Sequence, residues 1–353
     1  MKRFLSIILF VCFFSASFGL NFRIDNISYT TLDETSVKVS GFAFSLIDVV
    51  IPPEVTYNNV TYQVKEIGDK GLYGYNSTAT TKNSKMETLV ISEGIEKIGI
   101  NGIASNKKLI TVSLPSTLME IGNMAFNNDE NIQSVQFPNG SNLQSIGEKA
   151  FNECKNMEFF EIPSTVSSIG SYAFYNNEKM ESFTIPENVT IIEEHTFSQC
   201  SSLKTIVLHD KLTHINAAAF LSCKELANID NDLPASLEYL GGSAFNGVPG
   251  FKHLILSGNL KIIYSNTFAN CENLEYVWLQ EGITRIGQSA FSKCPNLKYV
   301  VLPSTLKTVE QSAFGGFTTT NHISRTFIFL ADEPCETKFF YVPDYYSEFS
   351  LNL

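Results

Sequence analysis

The sequence has little positive charge and no long apolar run beyond its first residues. It carries 25 Lys and Arg against 36 Asp and Glu, for a formal net charge of -11. The basic residues are scattered singly, so there is no basic stripe of the kind that phosphate backbones require. Spanning a bilayer takes at least ~17 apolar residues, and no segment reaches that length. We therefore predict neither nucleic acid as a partner nor a transmembrane segment.

The sequence also lacks the motifs of the common catalytic and metal sites. Its five His are spread out, and no His-Glu-x-x-His, phosphate-cradling glycine loop or Gly-x-Ser-x-Gly elbow is present. Glu193 and Glu194 flank His195 in "EEHTF". That trio is where an enzyme of unrecognised type would place its chemistry. We predict a protein without catalytic residues, metal or cofactor.

The first residues have the pattern of a secretory signal peptide. Lys2 and Arg3 precede an apolar run over 4–14, and small residues follow up to Gly19. We expect residues 1–19 to be removed and the mature chain to be secreted or held at an extracellular surface. A secreted chain can be glycosylated, and five Asn stand in acceptor sequons: Asn26, Asn59, Asn76, Asn139 and Asn188.

A short unit recurs along most of the chain. Its anchor is a Phe that follows Ile-Gly-x-x-Ala or a degenerate version of it, and the steps between anchors are 23 residues, with two of 25. The anchors are Phe126, Phe151, Phe174, Phe197, Phe220, Phe245, Phe268, Phe291 and Phe314. Degenerate upstream copies at 67–72 and 98–103 bring the number to eleven.

A unit this short cannot bury its apolar side alone, so the copies must stack. After each Phe comes a strand-like run such as "LKYVVLP" (297–303), whose first, fourth and sixth residues are apolar. The pattern predicts a β-rich solenoid with a parallel sheet, little helix and the Phe side chains in one interior file. We expect the "xxAF" turn to be one helical or 3₁₀ turn.

The remaining segments do not follow the period. We assign 20–66, with a hairpin around Asn58 and Asn59, to an N-terminal β cap that shields the first copy. The tandem copies occupy 67–317, with a polar insertion at 74–85, and 318–353 should form closing strands.

The motif in "LKYVVLPSTLKTVEQSAF" resembles the BspA-type leucine-rich repeat, over about residues 67–317. The resemblance implies a curved, right-handed solenoid in a secreted or surface-displayed protein. It also implies roles in adhesion, host-protein binding or immune recognition, and it brings no catalytic residues with it.

Five Cys share one position, three residues after the Phe. They are Cys154, Cys200, Cys223, Cys271 and Cys294, and the same position elsewhere holds Asn106, Asp129 and Asn177. A position that accepts Cys or Asn favours buried thiols that satisfy backbone groups. Disulfides joining Cys200 to Cys223 or Cys271 to Cys294 are the alternative. Zinc is disfavoured because no Cys-x-x-Cys or paired His accompanies them.

The third and fifth residues of each strand-like run should face outward. They are mostly small and polar through the middle copies and become apolar or aromatic in the last three. We call these last six residues the aromatic patch: His253, Ile255, Tyr276, Trp278, Tyr299 and Val301. Such a surface is typical of a binding site, although stacked side chains could equally stabilise the sheet itself.

The sequence therefore predicts a non-enzymatic binding or adhesion protein. Its aromatic patch would engage a host or cell-surface protein or glycan. The alternative is a structural or decoy surface antigen without a defined ligand.

Overall fold

The structure, a computed structural model, describes residues 19–76, 83–158, 160–230, 233–315 and 325–329, without the side chains of 230 and 329. The predicted signal peptide, except Gly19, and most of the predicted closing segment lie outside these residues.

The chain begins with six strands that precede the repeat copies. They are β1 (Asn21–Ile24), β2 (Ile27–Thr31), β3 (Ser36–Phe42), β4 (Asp48–Ile51), β5 (Glu54–Tyr57) and β6 (Val60–Ile67). Strands β1, β2 and β3 are antiparallel neighbours, whereas β3 and β6 are parallel. The predicted hairpin is present between β5 and β6, and its Asn58 and Asn59 have φ of 49° and 65°, as a two-residue hairpin turn requires.

Most of the copies contribute one longer strand and one two-residue strand. In chain order they are β7 (Thr88–Ile91), β8 (Lys97–Ile98), β9 (Thr111–Ser113), β10 (Glu120–Ile121), β11 (Ser134–Gln136), β12 (Ser145–Ile146), β13 (Ser168–Ile169), β14 (Ser182–Thr184), β15 (Ile191–Ile192) and β16 (Thr205–Val207). The others are β17 (His214–Ile215), β18 (Asn228–Asp230), β19 (Tyr239–Leu240), β20 (His253–Leu256), β21 (Ile262–Ile263), β22 (Tyr276–Leu279), β23 (Arg285–Ile286), β24 (Tyr299–Leu302), β25 (Thr308–Val309) and β26 (Thr326–Phe329).

These strands stack as parallel ladders. The longer strands form the sheets β4-β7-β9-β11, β14-β16-β18 and β20-β22-β24-β26, and the short ones continue from β6 through β8, β10 and β12 to β13, then form β15-β17-β19 and β21-β23-β25. In the residues described, the one helical segment is a 3₁₀ turn at Gly258–Leu260. The predicted β-rich solenoid with parallel sheets and little helix is confirmed, with about 12 turns.

The anchoring Phe side chains lie in one interior file, as predicted. From Phe126 to Phe314, consecutive rings stack with centroids 4.9–5.7 Å apart and interplanar angles of 3–8°. The first eight rings are completely buried. Each copy thus covers the apolar flank of the next, and the file is the continuous core of the array.

The turn that carries each Phe is not helical, contrary to our expectation. The N–H groups of Met124, Phe126 and Asn128 donate to carbonyls of the next copy at 2.7–2.8 Å. The intervening N–H groups close local turns three residues back, as from Ala125 to Gly122. This alternation recurs from copy to copy, and we call it the turn ladder. A helix would direct every N–H back along its own copy, so the ladder excludes it.

In nine of the eleven copies the structure shows two residues in the left-handed region, one two positions before the anchoring residue and one two positions after it; in the first and last copies it shows only the earlier one. The non-glycine residues there have φ of 53–65°. The first column is Lys70, Asn101, Met124, Lys149, Tyr172, His195, Ala218, Ser243, Asn266, Ser289 and Ser312; the second is Ser105, Asn128, Glu153, Asn176, Gln199, Ser222, Gly247, Asn270 and Lys293. Neither column contains Val, Ile or Thr, because a β-branched side chain at positive φ is strained.

The position three residues after the Phe holds a buried donor for a backbone carbonyl. All five Cys there are free and buried, and each Sγ donates to the Phe carbonyl of the preceding copy at 3.1–3.5 Å. The structure therefore contains neither of the two disulfides that the sequence left open. Burial raises the pKa of the Cys200 thiol to about 12.

Asp129 occupies the same position, although it can donate only when protonated. Its side chain is fully buried; Oδ1 accepts a hydrogen bond from the Asn106 N–H at 2.5 Å, and Oδ2 has no partner. Burial raises the pKa of the Asp129 carboxyl well above its usual range, although this N–H and nearby Lys107 oppose the shift. Asn106 fills the position with an amide, which donates to the Leu72 carbonyl at 2.8 Å.

Replacing Phe197 by Ala should lower the free energy of unfolding by about 3–5 kcal/mol, because it opens a cavity in the middle of the ring file. Denaturant unfolding followed by circular dichroism measures the loss. Phe197→Leu, which fills part of the space, is the matched control and should cost less. A cost below about 1 kcal/mol for Phe197→Ala would contradict a core that depends on the file.

The five buried thiols should resist alkylation in the native protein at pH 8, because burial keeps the reagent away from all of them. Burial also suppresses the reactive thiolate by raising the pKa of Cys154, Cys200, Cys223 and Cys271. The pKa of Cys294 is instead lowered by its interaction with Cys271, so its protection rests on burial alone. Adding denaturant should make all five react. Mass spectrometry after iodoacetamide treatment, with and without denaturant, counts them. If any of these five Cys stays unmodified in denaturant until a reductant is added, that result would indicate the disulfide alternative.

Asp129→Asn should stabilise the protein by about 1–3 kcal/mol at pH 8, because it replaces a buried acid with an amide that donates without a proton. The unfolded carboxyl has a pKa near ~3.9. Because the folded pKa is raised, the wild type keeps its stability below that value and loses it as pH rises through the folded pKa. The difference in free energy of unfolding between Asp129→Asn and the wild type should therefore shrink towards pH 4.

The reciprocal variant, Asn177→Asp, should lose stability as pH rises. Thermal melts of the three proteins at several pH values measure both effects. Melting temperatures that change with pH in the same way for all three would refute this account.

Candidate functional site

The aromatic patch lies on the last sheet of longer strands, where neighbouring strands pair in register. His253, Tyr276 and Tyr299 are direct neighbours across β20, β22 and β24. Ile255, Trp278 and Val301 form the second column. Because successive residues of a strand face opposite sides, the alternate residues Leu254, Val277 and Val300 lie in the core. The structure therefore brings all six predicted residues together on one sheet.

Five of the six side chains reach the surface. Ile255, Trp278 and Tyr299 are 52%, 39% and 48% exposed. His253 is exposed as well, and Tyr276 is half-buried. Large apolar groups left this open on a sheet whose other side is core provide the kind of area that binding partners cover.

Val301 is the exception, since it is 7% exposed. It lies in register between Trp278 on one side and Ile328 of β26 on the other. Residues in register on adjacent strands share a face, so the side chains of these two neighbours flank that of Val301. Val301 therefore supports the aromatic patch from within the column and does not form part of its exposed area.

The strand β26 extends both columns with residues that the sequence reasoning missed. Thr326 continues the column of Tyr299, and Ile328 continues that of Val301. The available signal was the run of β-branched and aromatic residues in "TFIFL" (326–330), which comes after the regular spacing has ended.

A row of charges borders the aromatic patch. Glu275 lies between two lysines, with its carboxylate oxygens 3.7 Å from the Lys252 Nζ and 3.8 Å from the Lys298 Nζ. An apolar centre with a charged, solvent-exposed border is the common layout of a protein interface.

The rings of the aromatic patch contact one another little. His253 and Tyr276 meet edge-on with centroids 6.2 Å apart. The Trp278 indole makes no ring contact with the other side chains that the structure describes. Pairing of aromatic rings across the strands therefore accounts for one pair at most, and any cross-strand stabilisation in the second column comes from Trp278 with its β-branched neighbours Ile255 and Val301.

Two side chains of the alternative catalytic trio, His195 and Glu193, contact residues outside the trio. His195 stacks on Tyr172, with centroids 4.5 Å apart, and its buried Nδ1 has no hydrogen-bond partner. The Glu193 carboxylate accepts a hydrogen bond from the Asn216 amide at 2.8 Å. No group of three metal-ligating side chains occurs among the residues described.

The five predicted acceptor residues for N-glycans are all exposed. Asn26 and Asn59 lie in hairpin turns, with φ of 66° and 65°. None of the five belongs to the aromatic patch. Their modification stays a prediction.

The chain is similar to known repeat proteins. The family described as BspA type leucine rich repeat region (6 copies) matches residues 21–141, 76–204, 128–246 and 193–321. A crystal structure of a leucine-rich repeat protein from Bacteroides ovatus is similar with a TM-score of 0.69 and 29% identity, covering 87% of this chain and 78% of that one. The T. pallidum leucine-rich repeat protein gives a TM-score of 0.49 and 22% identity, over 59% and 91% of the two chains. No curated protein shows a significant sequence match to the chain.

Repeat proteins of this type are generally non-catalytic scaffolds, and the family supports a role in protein interaction or as a surface repeat. The predicted resemblance to this family is confirmed. With its repeats matched from residue 21 to residue 321 and stacked as a solenoid, the chain belongs to the BspA-type leucine-rich repeat family.

Proposed function

We propose that this chain is a secreted or surface-displayed binding protein without enzymatic activity. Its aromatic patch engages a protein or glycan partner. The observation that supports this most directly is the exposure of Trp278, Tyr299 and Ile255 on adjacent, rigidly paired strands. Trp and Tyr are the residue types that most often dominate binding energy in interfaces.

The sheet provides a site that needs little rearrangement on binding. Backbone hydrogen bonds hold the strands on both sides of β22, and the core residues beneath the patch are completely or almost completely buried. A partner would therefore order few groups when it covers the patch, which preserves binding free energy.

In the described part of the chain, the middle copies do not expose a comparable group of aromatic side chains on their outward face. In the column of Trp278, earlier copies carry Ser113, Gln136 and Thr184. These polar side chains offer little apolar area. The aliphatic residues of the earlier columns, Val50, Val90 and Val207, have no aromatic neighbour in the column, so we place recognition at the last copies.

The extracellular location rests on the signal-peptide pattern of residues 1–19. In addition, no helix within the described part of the chain is long and apolar enough to cross a bilayer.

Trp278→Ala should weaken partner binding by about 2 kcal/mol, or about thirtyfold, because it removes the largest exposed anchor of the aromatic patch. The measurement is binding of the purified mature chain to a glycan array and to immobilised extracellular-matrix proteins. Thr184→Ala is the matched control, since it truncates an exposed residue of the same outward column in the polar middle of the array.

Circular dichroism must show that both variants remain folded. Equal capture by the wild type and Trp278→Ala would remove the aromatic patch from the proposal. The absence of capture by the wild type on either panel would favour a structural or decoy surface antigen.

A further inference from the structure

A concave site lies at the other end of the array from the aromatic patch, between the predicted cap and the first copy. It has a volume of about 450 Å³ and is lined by two glycines and by Phe42, Phe44, Lys70, Tyr73, Tyr75 and Asn76. We call it the aromatic cleft. Its volume falls within the range of small-molecule sites, about 300–1,000 Å³.

Backbone contacts hold the walls of the aromatic cleft. The Phe44 carbonyl accepts from the Lys85 N–H at 2.9 Å, and the Lys70 carbonyl accepts from the Tyr73 N–H at 3.2 Å. Gly71 lies against β3 so closely that a Cβ there would be 2.5 Å from the Val39 carbonyl oxygen. Only glycine allows this approach, so the first copy and the end of β3 meet at a fixed distance.

Four of the eight lining residues are aromatic. Phe42 and Phe44 are 5.3 Å apart between centroids and are tilted by 49°, so that they present differently oriented faces. Tyr75 is 44% exposed, and Tyr73 is half-buried. Ring faces and phenol hydroxyls together suit a ligand with an apolar C–H face and polar edges. A sugar ring has this combination.

Lys70 sets the charge preference of the cleft. Its Nζ lies 6.0 Å from the centre of the Tyr73 ring, and it is the one charged side chain among the lining residues that the structure describes. An aromatic enclosure could otherwise hold a quaternary ammonium, but the lysine would repel it. A carboxylate would instead form a charge-assisted hydrogen bond with the ammonium group.

We propose that the aromatic cleft is a binding site for a sugar ring that carries a carboxylate, such as a uronic or sialic acid. The rings pack on the C–H face of the sugar, and Lys70 binds its carboxylate. The site is separate from the aromatic patch and does not depend on it. Because the whole chain has a net charge of -11, the general field opposes an anion, and recognition rests on Lys70 itself.

The test uses the mature chain produced without N-glycans in a bacterial host, since Asn76 lies in a sequon beside the cleft. Saturation-transfer NMR titrations compare methyl glucuronide and the methyl glycoside of N-acetylneuraminic acid with neutral methyl glucoside. We expect at least one of the two acidic sugars to bind at millimolar concentration, more tightly than methyl glucoside and less tightly as salt is added. Choline should not bind.

Lys70→Met should weaken binding of the acidic sugar about tenfold, as expected for the loss of one charge-assisted hydrogen bond. Tyr73→Ala should abolish the signal. Tyr175→Ala is the matched control, because Tyr175 follows its anchoring residue directly, as Tyr73 follows Leu72. Trp278→Ala should leave sugar binding unchanged.

The proposal is overturned if neither acidic sugar binds, if methyl glucoside binds equally well, or if binding persists in folded Tyr73→Ala. Loss of sugar binding in Trp278→Ala would also overturn it, since the sugar would then occupy the aromatic patch. Failure of the aromatic patch to bind any partner leaves these outcomes unaffected, so the two proposals are tested separately.

Discussion

The structure depends on the hydrogen bonds that join each Phe turn to the next copy. In this ladder alternate N–H groups leave their own copy, which fixes the separation and the rotation of neighbouring turns together. The Phe rings can stack almost parallel because their backbones are already held in register. The cost is borne by two residues in most copies, which adopt a left-handed backbone that few non-glycine residues take. The hydrogen bonds of the turn ladder set the positions of the copies, and burial of the Phe rings stabilises the stack in that arrangement.

The regular core leaves the outward residues free to differ from copy to copy. The longer strands expose alternate side chains, and stacking does not constrain which residues these are. The outward residues of the middle copies differ from those of the last copies. Small polar residues fill the middle, and Trp278 and Tyr299 appear near the end. The sheet carrying them is also separate from the middle one. One of the two 25-residue steps, from Phe220 to Phe245, falls at this division.

The sequence was informative wherever the same residue type recurred at a fixed interval. The file of Phe rings, the solenoid, the buried Cys position and the outward columns could all be predicted from spacing. Val301 was placed on the correct side of its strand, but its burial depends on Ile328, which comes after the period has ended. The prediction of a helical or 3₁₀ turn before each Phe was wrong. Lys149, Tyr172 and His195, which take the left-handed conformation there, share no property that marks a left-handed residue. The signal lay instead in the absence of β-branched residues along the whole column. The aromatic cleft could not be predicted, since Phe42 and Tyr73 belong to different segments and only the folded cap brings them together.

Contacts restricted to adjacent copies make the length of this protein adjustable in whole units. Removing one internal 23-residue unit, such as residues 175–197, would make Phe174 and Phe220 consecutive anchors, again 23 residues apart. The register of the remaining copies would not change. Each such change moves the two ends by one strand spacing, about 4.8 Å. The separation between the aromatic cleft and the aromatic patch can thus vary only in discrete steps, and gene duplication or deletion could set it without altering the chemistry of either end.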